Sequence, residues 1–377
     1  MKIGIVTIQK SPSSYGGNLQ SYALWKYLSN LGHDVEIIDL YRPAQIGYVD
    51  STNKLSTHTY KFDKKHLANK VHFSLMDPRT WMRAIKRKRF FKRMLEFAKL
   101  AKYSKAFYSV DSLYSNPPSY DVYVSGSDQI WNPNMNFELA PYFLDFVKDG
   151  CKVSYASSFG VGNISDKYAK AIKGWLETYK FVGVREESAV EILQHMGIKA
   201  HLVLDPTFLL PQKDWYELAK FKKGKHKNVF VFMLYHSSNV LEQVYTLARN
   251  NNYQVVSNKK YKNFHCVSAC DVSEWLGYIF SSDLVITDSF HATAFSLIFR
   301  KSFYSIIIDT ETSKKRATRL LCLLESLNIK DRCINECDLH NLSLKSMIDY
   351  RKLSPLLSEK IEASKAYLKE AIKNGKV

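Results

Sequence analysis

The sequence contains no apolar run long enough to span a bilayer, and it is poor in cysteine and in acidic residues. Six cysteines are spread over 377 residues, and three residues separate each close pair, which fits neither a zinc knuckle nor a redox pair. No histidine-rich cluster and no Asp-x-Asp pair is present to hold a metal ion. These absences exclude a membrane-spanning helix, a disulfide scaffold and a zinc ribbon. We expect a cytoplasmic protein that needs no metal and no organic cofactor.

The formal net charge of +18 calls for an anionic partner, because so large an excess penalises compaction through self-repulsion. Phosphorylated substrates and acidic lipids qualify, whereas no helix-turn-helix, zinc-finger or RNP-type pattern supports nucleic acid. Much of the excess lies in a predicted basic helical insertion at about residues 58–107. Its densest stretch is Lys86, Arg87, Lys88, Arg89, Lys92 and Arg93. Such a helix either packs its aromatic side on the protein, which we favour, or lies peripherally on the inner face of an anionic membrane.

Strands and helices alternate along the chain, which is typical of parallel sheets covered by helices. The first strand is predicted at Lys2 to Ile8, and a second series of strands begins after Pro211. Proline, lysine and glycine accumulate at residues 205–227, where we place the domain break. The sequence therefore predicts an α/β fold with two parallel-sheet domains facing a cleft.

The predicted domains cover residues 1–210 and residues 211–377. A terminal helix at about Ser354 to Ile372 carries an apolar stripe. We expect this helix to pack back across the domain junction.

A buried strand leads directly into a helix near residue 290. The apolar run Leu284 to Thr287 ends in Asp288-Ser289-Phe290-His291, after which small and apolar residues follow with helical spacing. Open α/β sheets bind ligands at such junctions, where the N–H groups of a helix start attract phosphate or carboxylate. His291 is therefore a candidate catalytic residue and Ser289 a candidate donor contact. The alternative is that Asp288 and Ser289 only cap the helix and that His291 is an interior histidine.

Two loops of the first half also carry candidate residues. After a strand, Asp128 is a candidate base, and Gln129, Trp131 and Asn132 are candidate acceptor contacts because amides and a stacking indole suit a sugar. A turn in which Asp128 bonds its own backbone explains part of this pattern. The loop before the first helix adds the candidates Gly17, Asn18 and Gln20. This loop lacks the lysine of a Walker A motif and the third glycine of a dinucleotide motif.

Basic residues follow two other strands. Arg185 comes directly after a predicted strand, and a planar guanidinium suits two-pronged capture of a carboxylate or phosphate. The alternative is an Arg185 paired with a neighbouring acid. A second basic lining follows the strand at Phe303 to Ile308 and consists of Lys314, Lys315, Arg316 and Arg319.

Taken in order, these motifs resemble the polysaccharide pyruvyl transferase family over most of the chain. The matching blocks are Gly16-Gly17-Asn18 with Gln20 and Tyr22, Gly126 to Asn132, Tyr155 to Ser157, Arg185 to Ser188, Leu204 to Thr207 and Asp288 to Ala292. Many members have Arg-Leu-His-Ala where this chain has Ser289-Phe290-His291-Ala292. Either Arg316 or Arg319 replaces the missing arginine, or the donor sits differently.

The resemblance implies two Rossmann-like domains in the GT-B manner, with the acceptor on the N-terminal side and the donor on the C-terminal side. It implies transfer of the enolpyruvyl group of phosphoenolpyruvate to a sugar of a surface polysaccharide or its precursor, as a ketal, with release of phosphate. His291 would lie at the reacting centre, where we assign it as general acid, with Asp128 as base or as the group that orients a sugar hydroxyl. The donor would be held by Arg185, Ser289, Arg316 and Arg319. The rival functions are a GT-B glycosyltransferase that uses a nucleotide sugar and a basic polysaccharide-binding protein without turnover.

Overall fold

The computed structural model describes residues 1–11, 13–40, 48–49, 61–62, 78–135, 137–220, 226–267, 269–344 and 347–375. The chain forms two compact units. The first unit comprises Met1–Pro206 together with Ser364–Val377, and the second comprises Thr207–Ala363.

The first unit contains a parallel five-stranded sheet in the order β5-β2-β1-β6-β7. The strands of the first unit as a whole are β1 (Lys2–Val6), β2 (Asp34–Leu40), β3 (Tyr48–Val49), β4 (Lys61–Phe62), β5 (Tyr103–Tyr108), β6 (Val122–Ser125), β7 (Cys151–Ser154), β8 (Gly183–Val184) and β9 (His201–Leu202). Its helices are α1 (Tyr15–Asn30), α2 (Pro78–Ala98), α3 (Val110–Ser115), α4 (Asp166–Leu176) and α5 (Glu187–His195). Strands β8 and β9 form a separate parallel pair, and β3 and β4 form an antiparallel pair.

The second unit contains a parallel six-stranded sheet in the order β12-β11-β10-β13-β14-β15. Its strands are β10 (Asn228–Phe232), β11 (Gln254–Ser257), β12 (His265–Cys266), β13 (Leu284–Thr287), β14 (Ser302–Ile307) and β15 (Cys333–Asn335). Its helices are α6 (Gln212–Leu218), α7 (Ser238–Asn250), α8 (Val272–Ser281), α9 (Phe290–Ile298), α10 (Glu311–Ser326) and the start of α11 (Tyr350–Lys373). The order of strands reverses between β10 and β13, which creates a switch point at the carboxyl edge of the sheet.

The local sequence explains strand β13 and helix α9, which lie on either side of the candidate site of the second unit. Strand β13 is a run of β-branched and apolar residues that is buried along its whole length. Ser289 then adopts extended backbone and caps α9, because its hydroxyl accepts the N–H of Ala292 at 3.5 Å. Helix α9 is buried on nearly every face, which fits its content of small and apolar residues. The strand and helix therefore fix the segment between them.

The predicted α/β fold with two Rossmann-like parallel sheets is confirmed. The sequence predicted residues 211–377 as the second domain, but Ser364–Val377 groups with the first unit. Here the Tyr367 hydroxyl donates to the backbone oxygen of Ser154 at 3.0 Å, and Leu368 and Ile372 are buried. Part of the predicted insertion, residues 58–60 and 63–77, lies outside the described residues.

Candidate active site

Buried amide side chains shape the glycine loop between β1 and α1. Ser14 caps α1, because its hydroxyl accepts the N–H of Gly17 at 3.0 Å. The buried Asn18 amide donates to the backbone oxygen of Ser11 at 2.8 Å and accepts the Ser11 N–H at 2.9 Å. The buried Gln20 amide bonds backbone groups of the loops after β1 and β6. These bonds hold the loop in shape, and contact of Gly17, Asn18 and Gln20 with an acceptor stays a prediction.

Asp128, in the loop after β6, is held by Arg185 from the end of β8. Arg185 donates to Asp128 Oδ1 at 3.1 Å and to Asp205 Oδ2 at 2.6 Å. The N–H of Gln129 also donates to Asp128 Oδ1, at 2.9 Å. The side chains of Arg185 and Asp205 are 1% and 0% exposed, whereas that of Asp128 is 15% exposed. Asp128 is therefore the most exposed carboxylate of this cluster, and its orientation is fixed from two sides.

Three carboxylates surround the Arg185 guanidinium. Burial by itself lowers the pKa of Arg185, but the charges of Asp128, Asp205 and Glu186 outweigh this effect and raise the pKa. Glu186 is itself buried, and its Oε1 accepts the hydroxyl of Ser158 at 2.8 Å. The cluster therefore carries more negative than positive charge. A donor anion at Arg185 would compete with these carboxylates, and the predicted donor contact stays a prediction.

The segment that follows Asp128 is packed inward. The Trp131 ring is wholly buried, stacks on Phe143 with ring centroids 4.8 Å apart, and donates its N–H to Ser125 Oγ at 3.0 Å. Asn132 is buried and donates to Gln129 Oε1 at 3.2 Å. A sugar would reach the Trp131 ring only if this packing opened, so the structure gives the ring a packing role. Acceptor contacts by Gln129 and Asn132 stay predictions.

In the second unit, α9 carries His291 in its first turn. His291 is half-buried, and its ring lies edge-on to Phe290 with ring centroids 5.3 Å apart. The guanidinium carbon of the buried Arg319, on α10, lies 6.0 Å from the centre of the Phe290 ring. The structure thus brings the predicted residues His291 and Arg319 to one aromatic ring, beside the cap residue Ser289.

The rest of the predicted basic lining on α10 is less defined. Lys314 pairs with Asp309 at 2.6 Å, and both side chains are exposed. The side chains of Lys315 and Arg316 lie outside the described residues. Among the described side chains of α10, Arg319 is therefore the cation that lies near His291.

Two acidic residues take structural positions that the sequence analysis did not assign. Asp205 anchors Arg185, and Asp288 accepts the backbone N–H groups of Leu234 and Tyr235 at 2.6 and 2.9 Å. The sequence allowed both Asp288 and Ser289 as caps of this helix, and Ser289 is the cap. Each acid follows apolar residues, Asp205 after Val203 and Leu204 and Asp288 after β13, and this position in the sequence was the available signal.

Two further observations concern metal binding and membrane spanning. Across the part of the chain that is described, no group of three or more His, Cys, Asp or Glu side chains is arranged to hold a metal ion. Within the same residues, no helix combines the length and apolarity needed to cross a membrane.

Two Rossmann-like units with polar side chains after their strands define an α/β protein of GT-B type. A solved UDP-N-acetylglucosamine 2-epimerase shares this fold with a TM-score of 0.52 and 10% identity, over 98% of this chain and 94% of that one. The chain belongs to the polysaccharide pyruvyl transferase family, whose model matches residues 15–310.

Two further solved structures are similar to the chain with lower TM-scores. One is a putative UDP-N-acetylglucosamine 2-epimerase from Listeria monocytogenes, with a TM-score of 0.48 and 10% identity over 98% of this chain and 97% of that one. Another is an E. coli heptosyltransferase solved with ADP, with a TM-score of 0.40 and 9% identity over 96% of this chain and 100% of that one. No curated protein matches the chain.

Proposed function

We propose that this protein transfers the enolpyruvyl group of phosphoenolpyruvate to two hydroxyls of a sugar, in a surface polysaccharide or its precursor. The product is a pyruvate ketal, and phosphate is released. Family membership supports pyruvyl transfer to a polysaccharide. The structural observation that carries the proposal is His291 in the first turn of α9, directly after a buried strand. A histidine at this position places a proton donor beside the start of a helix, where backbone N–H groups attract anions.

The reaction requires one new C–H bond and two new C–O bonds. The methylene carbon of phosphoenolpyruvate takes up a proton, the central carbon bonds both sugar oxygens, and its bond to the phosphate oxygen breaks. Two hydroxyl protons are lost, of which one balances the proton on the methyl carbon and the other leaves with phosphate. The enzyme must therefore supply an acid, a base and a binding site for the donor anion.

We assign these roles to the residues that the two units place after their strands. His291 is the general acid, and Arg319 and Ser289, together with Arg316, bind the donor anion. Asp128 is the base or the group that orients a sugar hydroxyl, since its carboxylate is partly exposed and fixed by Arg185. Gln129 and Asn132 next to it, with the glycine loop, would contact the acceptor.

Thermal stabilisation by ligands separates this proposal from a nucleotide-sugar transferase. We expect phosphoenolpyruvate to raise the melting temperature and UDP to leave it unchanged. The loop after β10 supports this expectation, because the N–H groups of Leu234 and Tyr235 donate to Asp288 and are not available to a diphosphate in this conformation. Stabilisation by UDP and not by phosphoenolpyruvate would favour the nucleotide-sugar transferase.

The product is tested by mass spectrometry of surface glycans from cells with and without the protein. We expect a repeat unit that carries the added mass of a pyruvate ketal in the first sample only. Purified protein with phosphoenolpyruvate should release inorganic phosphate only when a diol-bearing sugar acceptor is present. Glycans of equal mass, with no phosphate release, would overturn the proposed function.

We also propose peripheral contact between α2 and an anionic membrane, which suits an acceptor carried on a lipid. The last turns of α2 pack on the first unit, since Met94, Phe97 and Ala98 are buried. Four consecutive basic residues further towards its start, 86–89, are all exposed. Glu96 is the only acidic residue of α2, so this surface is strongly cationic. Such a surface is attracted to acidic lipid headgroups.

A further inference from the structure

Side chains from the ends of β11 and β13, the two strands that flank β10, hold the backbone of the loop after β10. The Asn258 amide accepts the Met233 N–H at 2.9 Å and donates to the Met233 oxygen at 2.8 Å. The Lys259 ammonium donates to the Leu234 oxygen at 3.2 Å. The two oxygens of Asp288 accept the N–H groups of Leu234 and Tyr235 at 2.6 and 2.9 Å. Three successive residues of this loop are therefore tied to side chains from the ends of β11 and β13.

The hydrogen bonds from Asp288 to this loop also hold the segment that carries His291. Asp288 directly follows β13, Ser289 caps α9, and His291 is the second residue of α9. The end of β13 is also tied to β10, because the Thr287 hydroxyl donates to the Phe232 oxygen at 2.6 Å and accepts the Ser289 N–H at 3.0 Å. Any displacement of Asp288 would shift the start of α9.

The ionised form of Asp288 is disfavoured by its surroundings. Burial raises the pKa of the Asp288 carboxyl, and the N–H groups of Leu234 and Tyr235 only partly offset this effect. Groups whose pKa is shifted by burial cluster at functional sites.

We propose that Asp288 is a positioning residue, whose carboxylate fixes the start of α9 and hence His291 by filling the switch point between β10 and β13. In many open α/β sheets this crevice receives an anionic ligand. Here the chain supplies a carboxyl group of its own. The consequence for catalysis rests on the proposed function, whereas the tie between the loop and α9 does not.

The test compares Asp288→Asn with a matched control at the other end of the same strand. Asp283 directly precedes β13, and its carboxylate accepts the Asn228 N–H at 2.8 Å, so it also ties β13 to β10. We expect Asp288→Asn to lower kcat for pyruvyl transfer at least tenfold, with a smaller change in KM for phosphoenolpyruvate. Asp283→Asn should keep the parent kcat. A parent kcat in Asp288→Asn, or an equal loss in both variants, would overturn the positioning role.

Hydrogen exchange measured by mass spectrometry tests the tie without any substrate. In Asp288→Asn, exchange should rise in peptides that cover residues 233–237 and residues 288–297, while Asp283→Asn leaves both unchanged. Unchanged exchange in the Asp288 variant would overturn the proposal even if the protein had no pyruvyl transferase activity. Conversely, if exchange increases in the Asp288 variant but the parent protein shows no pyruvyl transferase activity, only the proposed function is refuted.

Rescue by formate distinguishes the carboxylate from general packing. Asp288→Ala removes the carboxylate, and formate in solution can return one to the same N–H groups. We expect formate to restore the protection of residues 233–237 and part of kcat in Asp288→Ala, and to leave the parent unchanged. Loss of protection that formate does not reverse, in a variant that remains folded by circular dichroism, would contradict the proposal.

Discussion

His291 is the residue on which the proposed chemistry depends. Replacing it with Gln or Ala should lower turnover by roughly a hundredfold or more, because a general acid contributes about that much to rate. The fold should survive, since the ring is only half-buried. Kinetics of phosphate release together with a thermal melt would check both expectations. Near-normal activity, or a variant that fails to fold, would instead identify a structural histidine.

Arg185 should tolerate Lys poorly, because one ammonium cannot reproduce the planar contacts that the guanidinium makes with Asp128 and Asp205. If Arg185 also holds the donor, as predicted, KM for phosphoenolpyruvate should rise by about tenfold, the value of one charged hydrogen bond. Acceptor KM should change less. A lower melting temperature with unchanged donor KM would make Arg185 a structural ion pair.

At the residue scale the sequence identified candidates but not their partners. It placed Asp128 and Arg185 after strands, and Ser157, which follows β7 and bridges to both Asp128 and Val184, brings their side chains into contact across 57 positions of sequence. It could not predict that Trp131 points inward, because a loop tryptophan has the same sequence context whether its ring is buried or exposed. It also could not pair Asp288 with the loop after β10, since that contact depends on which strands are neighbours.

The loop between β6 and Asp128 requires glycine at position 126. A Cβ on Gly126 would lie 2.1 Å from the backbone oxygen of Tyr155, so Gly126→Ala must displace one of the two chains. We expect a loss of about 3 kcal/mol in the free energy of unfolding, the upper part of the range for overpacking. Urea denaturation would measure it. Gly162→Ala is the matched control, because its added Cβ meets no atom within 4 Å, and a similar loss there would contradict the explanation.

Helix α2 is expected to bind anionic vesicles and not neutral ones. Lys86, Arg87, Lys88 and Arg89 each contribute on the order of 1 kcal/mol near an anionic bilayer, and salt weakens the attraction. Changing all four to Gln should abolish co-sedimentation without affecting activity on a soluble acceptor.

The control for the vesicle experiment replaces the exposed lysines of α4, which are Lys167, Lys170 and Lys173, with Gln. These changes should leave vesicle binding intact. Equal sedimentation of the parent and the α2 variant would assign α2 to packing alone. Binding of the parent to DNA but not to vesicles would identify nucleic acid as the partner.

At the element scale, strands with continuous apolar runs were predictable, and the edge strands β5, β12 and β15 were not. Buried strands such as β6 and β13 have no polar residue in their interior, so their sequence alone indicates them. Strand β12 has two residues, both exposed, and β5 lies at a sheet edge and contains Lys105. Such strands exist because a neighbouring strand offers backbone partners, and a single segment of sequence does not contain that information.

At the scale of the whole molecule, repeated strand and helix patterns were sufficient to predict two parallel sheets. The return of the chain to the first unit was not predictable in detail, because the apolar stripe of α11 shows only that the helix packs on something. The structure shows what it packs on. The Ser364 hydroxyl accepts the Leu204 N–H at 3.0 Å, and the Tyr367 ring lies edge-on to Phe181 with centroids 6.4 Å apart.

This return predicts that the end of α11 stabilises the first unit selectively. Leu368 and Ile372 are 0% and 1% exposed, and burial of each such side chain stabilises a fold by about 1.5–3 kcal/mol. Each is a large fraction of the total stability of a typical domain, so Leu368→Ala should raise hydrogen exchange in β6 and β7 while β10 and β13 keep theirs. Lys369→Ala, on the exposed side of the same turn, should change neither. An equal rise in the strands of both units after Leu368→Ala would show that they unfold as one cooperative body.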